Sequence, residues 1–295
     1  MAPLLVQHSP KLQGEVAALG SNRACGPGGI WALAGTNPRA TMKRVVTGIY
    51  RTITVACVAT VLIFSPTGRA GAQSEAEACL TANRNLSLGA PLPRTQARLK
   101  AGVLKVVAVG SSSTTGLWVA FSPEATYPQV MRRELAALRP GAQIEVVNSG
   151  RIGDTVSGSM ARFQDDVLAY RPDLIVWQLG TNDVAWGGRA DGLKDQIVTG
   201  VRTLKSDGAD VILMDLQYAP IILASSQHEA MQSTIAEAAR EERVGLFSRF
   251  SLMRRSIEAG LPSTALVSWD GLHNSAAGYD CIGRALARAV IMGKR

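Results

Sequence analysis

Among the three histidines of the chain, His273 follows an aspartate by three positions in Asp270-Gly271-Leu272-His273. That spacing lets one short loop orient an imidazole through its own carboxylate, the arrangement that holds a general base when a serine must be activated. A candidate serine stands far upstream, where the strand-like run Val103 to Val109 empties into Gly110-Ser111-Ser112-Ser113-Thr114-Thr115-Gly116. Ser112 lies in a strand-to-helix turn, where its hydroxyl can stand among backbone N–H groups. Read alone it is equally a helix N-cap, and no Lys follows a Gly here as a phosphate-cradling loop requires.

Two further loops could supply donors. Asn182, in Gly180-Thr181-Asn182-Asp183, carries a side-chain N–H suited to an oxyanion, or closes an Asx-turn. Gly153, in Asn148-Ser149-Gly150-Arg151-Ile152-Gly153-Asp154-Thr155, offers a backbone N–H that no side chain obstructs, or is simply a turn glycine. His228 stands in Ser226-Gln227-His228-Glu229, whose Ser226/Glu229 spacing predicts a capping box and a surface position at a helix start. His8 belongs to a segment that reads as removed, so His273 is the remaining base, against the plain alternative that it caps the last helix. Trp118, Trp186 and Trp269 each fall within a few residues of one of these loops, where they line a substrate pocket or cover the sheet edge.

The elements that must position these residues alternate along the chain. Apolar runs predict strands at 103–109, 144–148, 173–179 and 210–216, with a weaker one near 244–248. Amphipathic runs predict helices at roughly 127–138, 156–170, 190–206, 226–242 and 275–291. Such alternation implies an α/β fold, a parallel sheet with helices on both faces. Near-continuous Val, Ile and Leu in the first, third and fourth strands fits burial on both sides. Ligands of such sheets bind beyond the carboxyl ends of the strands, where all the loops named above can meet.

The first 72 residues do not read as part of that domain. Residues 1–41, rich in Gly, Pro and Ala, read as a non-native upstream segment. Residues 42–72 have the form of a signal peptide: Met42-Lys43-Arg44 with Arg51, the apolar run Thr52 to Phe64, and Ala70-Gly71-Ala72 before a cut at Gln73. Its apolar core is shorter than the roughly 20 residues a spanning helix needs, so no stable membrane insertion is expected after cleavage. A polar, Pro-containing segment, 73–100, is expected to wrap the surface ahead of the domain proper at 101–295. Of the 31 basic and 23 acidic residues, 7 and 1 lie in the first 72, leaving 24 and 22 and a net charge of +2 in place of +8. The basic character is thus mostly a targeting feature and gives no reason to expect a nucleic-acid partner. Cys79 and Cys281 are the two cysteines of the mature chain, bound for an oxidising compartment; they form a single disulfide or remain two buried thiols.

Taken in order, Gly110-Ser111-Ser112-Ser113-Thr114-Thr115-Gly116, Gly153-Asp154-Thr155, Gly180-Thr181-Asn182-Asp183 and Asp270-Gly271-Leu272-His273 resemble the SGNH/GDSL hydrolase family over nearly all of residues 103–291. The resemblance implies a flavodoxin-like three-layer α/β/α sandwich on a five-stranded parallel sheet. It also implies Ser112 as nucleophile, His273 as base, Asp270 as its orienting acid, and an oxyanion hole of Ser112 N–H, Gly153 N–H and the Asn182 side chain. Ser111 stands where the family usually has Asp, a departure that touches loop geometry more than the triad. The sequence holds no Gly-x-Ser-x-Gly elbow of the ordinary α/β-hydrolases and no His-Glu-x-x-His metal signature. The expected protein is a secreted or periplasmic serine esterase acting on small-molecule, glycan or lipid esters, without cofactor or metal. A carbohydrate O-acyltransferase using the same residues, or an exported module that binds glycans or lipids without catalysis, are the alternatives.

Overall fold

A computed structural model describes residues 67–119 and 121–293. The basic and apolar regions expected between Met42 and Phe64 lie outside the described residues. Five strands, β1 (Val103–Gly110), β2 (Gln143–Gly150), β3 (Leu174–Gln178), β4 (Asp210–Met214) and β5 (Gly245–Phe247), form one parallel sheet in the order β2-β1-β3-β4-β5. The chain passes from β1 outward to β2 and returns across to β3, so strand order reverses at β1. That switch point is where open α/β sheets bind ligands.

Before the sheet come α1 (Thr67–Ala82) and α2 (Pro93–Lys100). Between its strands lie α3 (Ser112–Thr115), α4 (Tyr127–Leu138), α5 (Val156–Met160), α6 (Phe163–Asp166), α7 (Thr181–Val184), α8 (Leu193–Leu204), α9 (Pro220–Leu223) and α10 (His228–Glu242). After β5 come α11 (Arg249–Glu258), α12 (Ser263–Leu266) and α13 (Ala276–Met292). Helix α13 packs on α4 and α1, and α8 packs on α10, completing the three-layer α/β/α sandwich. Gly283 sets the closeness of the first pair. A Cβ there would fall 2.6 Å from Val130 Cβ and 2.7 Å from the Tyr127 carbonyl oxygen, so only glycine allows the two helices this approach.

The expected burial of the central strands is present. Every residue of β3 and all but Asp210 of β4 are buried, as two-sided cover of a parallel sheet demands. Strand β5 is not left as a bare edge, because Leu246 N–H donates to the Leu88 carbonyl at 2.9 Å. Residues 73–100 bury Cys79, Leu80, Leu88, Leu92 and Leu99 in the common core. Cys79 of α1 is disulfide-bonded to Cys281 of α13, with Cα atoms 6.1 Å apart. No helix among the described residues is long and apolar enough to cross a membrane.

Two sequence expectations need correction. The helix predicted over 156–170 is three short pieces, α5, α6 and a 3-10 turn at Leu168–Tyr170. It breaks at Arg162, whose side chain turns inward to a buried pair with Asp154 at 2.6 Å. The predicted capping box at Ser226 and Glu229 does not form either. Ser225 is the residue turned toward α10: its Oγ accepts from Gln227 N–H at 3.2 Å and its carbonyl from His228 Nδ1 at 2.7 Å. His228 is thereby half-buried and stacks on Phe250, ring centroids 6.0 Å apart. A helix that the apolar periodicity does not predict, α11, starts directly after β5 with Ser248 as its cap, the Ser248 Oγ accepting from Ser251 N–H at 3.3 Å.

Candidate active site

Strand β1 delivers the chain into α3, of which Ser112 is the first residue. A buried glutamine at the end of the neighbouring strand shapes this turn. Gln178 Oε1 accepts from Ser111 N–H (2.9 Å), Ser111 Oγ (3.0 Å) and Thr114 Oγ1 (3.1 Å). Ser111, where an aspartate was expected, therefore serves as a short donor to the sheet. Gly150 at the end of β2 lets α3 sit tightly, since a Cβ there would lie 2.2 Å from Thr115 N.

From the far end of the chain, the loop before α13 brings in His273. Ser112 Oγ is 2.8 Å from His273 Nε2, and His273 Nδ1 is 2.5 Å from Asp270 Oδ2. An ionised carboxylate only accepts, so the imidazole proton on this side sits on Nδ1, and Nε2 turns its lone pair to the serine hydroxyl. Asp270 Oδ1 accepts from the backbone N–H of Leu272 and of His273, both at 3.0 Å. Its other oxygen receives a second donor, Trp118 Nε1 at 2.6 Å. Burial works against ionisation of Asp270, but the bonds from His273, Leu272 N–H, Trp118 and His273 N–H outweigh it and hold the carboxyl down to about 2.

The donor loops are braced against one another. Asn182 Nδ2 donates to the Asp154 carbonyl at 2.8 Å, and the Asp183 carboxylate accepts from Val156 N–H at 3.1 Å. Burial raises the pKa of Asp183 from its ordinary value, with the Val156 bond acting in the opposite sense. The Asp154–Arg162 pair lies beneath, and Arg162 Nη2 also donates to the Gly110 carbonyl at 3.2 Å. Gly153 adopts a left-handed φ of 79° with open space around its Cα. Among the described residues, neither its N–H nor that of Ser112 donates to a protein acceptor. The Asn182 amide carries a second hydrogen, which makes no hydrogen bond to the protein among the described residues.

Behind the surface runs a polar strut that no local sequence signal disclosed. Gln217, after β4, accepts at Oε1 from Thr181 Oγ1 (2.9 Å) and Arg249 Nη2 (2.7 Å), and donates from Nε2 to the Leu272 carbonyl (3.0 Å). It ties the Asn182 loop to the His273 loop through buried side chains. Arg249 is itself fully buried, and burial lowers its pKa to about 10, against the opposing pull of Asp215, so it stays charged. Of the three tryptophans, Trp118 and Trp269 meet at the rim with centroids 5.0 Å apart and planes tilted by 53°. Trp186 is exposed on the loop after α7 and makes no such contact. Among the described residues no cluster of three or more His, Cys, Asp or Glu side chains is placed to hold a metal ion.

A five-stranded parallel sheet in this order, with a serine after β1 bonded to a histidine before the last helix, defines an SGNH/GDSL-type carboxylic ester hydrolase. The chain belongs to the non-GDSL lipase-like family, which it matches over residues 78–295. It is 27% identical over 168 residues to an acetylxylan esterase of Geobacillus stearothermophilus, covering 53% of this chain and 76% of the relative. With an arylesterase of Vibrio mimicus it shares 26% identity over 116 residues, 39% of this chain and 56% of the relative. The crystal structure of a two-domain esterase active on acetylated mannans superposes with a TM-score of 0.56 at 23% identity, covering 69% of this chain and 52% of that one. The chain thus spans little more than half the length of the latter two.

Proposed function

We propose that this protein is an exported serine esterase that cleaves carboxylic esters by way of an acyl-enzyme on Ser112. The unbroken line from Asp270 through His273 to the Ser112 hydroxyl, at 2.5 and 2.8 Å, is the observation that carries the reading. Ser112 Oγ attacks the ester carbonyl carbon while its proton passes to His273 Nε2. The oxyanion that results is held by Ser112 N–H, Gly153 N–H and the Asn182 amide. The tetrahedral intermediate collapses, the imidazolium gives its proton to the departing alcohol, and water repeats the sequence to free the acid. Asp270, ionised throughout, stabilises the imidazolium in both halves.

The relatives named for acetylated xylan and mannan favour short acyl groups on carbohydrate alcohols as substrates. The exposed Trp269 and Trp118 rings at the rim suit the face of a sugar. Export is supported by the Met42–Ala72 pattern and by the Cys79–Cys281 bond, which persists in oxidising compartments. The test is labelling with a fluorophosphonate, alongside hydrolysis of aryl esters from acetyl to decanoyl. Wild type should label once, at Ser112, and prefer the short esters; folded Ser112→Ala should neither label nor turn over. Normal activity in that variant would refute the assignment.

A further inference from the structure

Trp118 is an anomaly of backbone and of placement. It has φ of 72°, a region that bulky L-residues avoid, in a loop already reversed by Gly116 at φ 90°. The loop is pinned there: Leu117 N–H donates to the Ser112 carbonyl at 3.0 Å, and the Leu117 carbonyl accepts from Tyr279 Oη at 3.1 Å. A costly conformation held from both sides delivers one group, the indole N–H, to the Asp270 oxygen that also receives His273 Nδ1. The ring itself is half-exposed and leans on Trp269, so hydrophobic burial does not account for the geometry.

We infer that Trp118 is a positioning residue of the triad, fixing the Asp270 carboxylate by its indole N–H so that His273 is held toward Ser112. The inference rests on the proposed Ser112–His273–Asp270 triad. Because Asp270 Oδ2 accepts from both the indole and the imidazole, the indole draws off part of the charge that this oxygen presents to His273 Nδ1. Trp118 therefore sets both the direction of the carboxylate and the strength of its pull on the imidazolium. Tyr279 on α13 lies within electrostatic reach of Asp270, and burial keeps its phenol protonated by raising its pKa well above the ordinary value.

Trp118→Phe keeps an aromatic ring beside Trp269 and removes only the donor. It should lower kcat about tenfold with KM within about twofold, as expected for one lost bond to a charged acceptor. The acid limb of kcat/KM should move to higher pH, since an unshared carboxylate favours the imidazolium. In an Asp270→Asn background the same change should cost less than about twofold, because the carboxylate it acts through is gone. Wild-type kcat with an unmoved limb would overturn the proposal, as would an equal loss in both backgrounds, which signifies packing alone. Failure of the triad itself shows separately: Ser112→Ala would stay active and wild type would not label, and both ideas would then fall together.

Discussion

Asn182 shows how a single side chain can be read two ways. One of its amide hydrogens is spent on the Asp154 carbonyl, which fixes the group, and the other is the donor assigned to the oxyanion in the proposed mechanism. Asn182→Ala should lower kcat by roughly 10²–10³ with little change in KM if the amide acts in the transition state. Equal kcat with reduced thermal stability would mean that it only braces the loop. The Asp270/His273 spacing was suggestive by itself, whereas Ser112, read alone equally a helix N-cap, stood out only through the order of the four loop motifs along the chain. Gln178, Gln217 and Arg249 were not legible, since their partners come from distant parts of the chain. A glutamine ending the apolar run Leu174-Ile175-Val176-Trp177-Gln178 was the one signal on offer, and nothing local said what it would hold.

At the level of elements, the strands were readable because two-sided burial demands continuous Val, Ile and Leu. Helices failed where side chains rather than periodicity decide, as at Arg162, which breaks the run from Val156 to Tyr170. Helix α11 was invisible for a related reason: part of its N-terminal cap comes from β4's end rather than from its own neighbours. Asp215 accepts there from Phe250 N–H at 3.0 Å and Ser248 Oγ at 2.7 Å. Burial nevertheless raises the Asp215 pKa to about 6, with those bonds and Arg249 opposing. A carboxyl that ionises near 4 when unfolded and near 6 when folded holds its proton longer in the native state. Stability from this group is therefore greatest below about pH 4 and falls as pH rises to about 6, by at most about 3 kcal/mol. The Tm difference between wild type and Asp215→Asn, followed from about pH 4 to 7, should shift in favour of the variant as pH rises. A pH-independent difference would mean that Asp215 does not titrate in this window.

For the molecule as a whole, the expected processing site falls inside a helix. Helix α1 runs from Thr67 to Ala82, and a cut after Ala72 leaves Gln73–Ala82 docked on α13 through buried Ala76, Cys79 and Leu80. N-terminal sequencing of exported protein should give Gln73 first; a start within residues 1–41 would remove the case for a signal peptide. The bond between Cys79 and Cys281 then has a mechanical meaning. It closes 202 residues of separation, with every strand of the sheet and every loop of the site inside the ring. Tension applied to the segments outside Cys79 and Cys281 is borne by a covalent link rather than by the sheet's hydrogen bonds. A load on the chain ends, or a protease nick in an exposed loop, leaves the two halves of the site tethered: Ser112 and His273 can be separated along the chain without being parted in space.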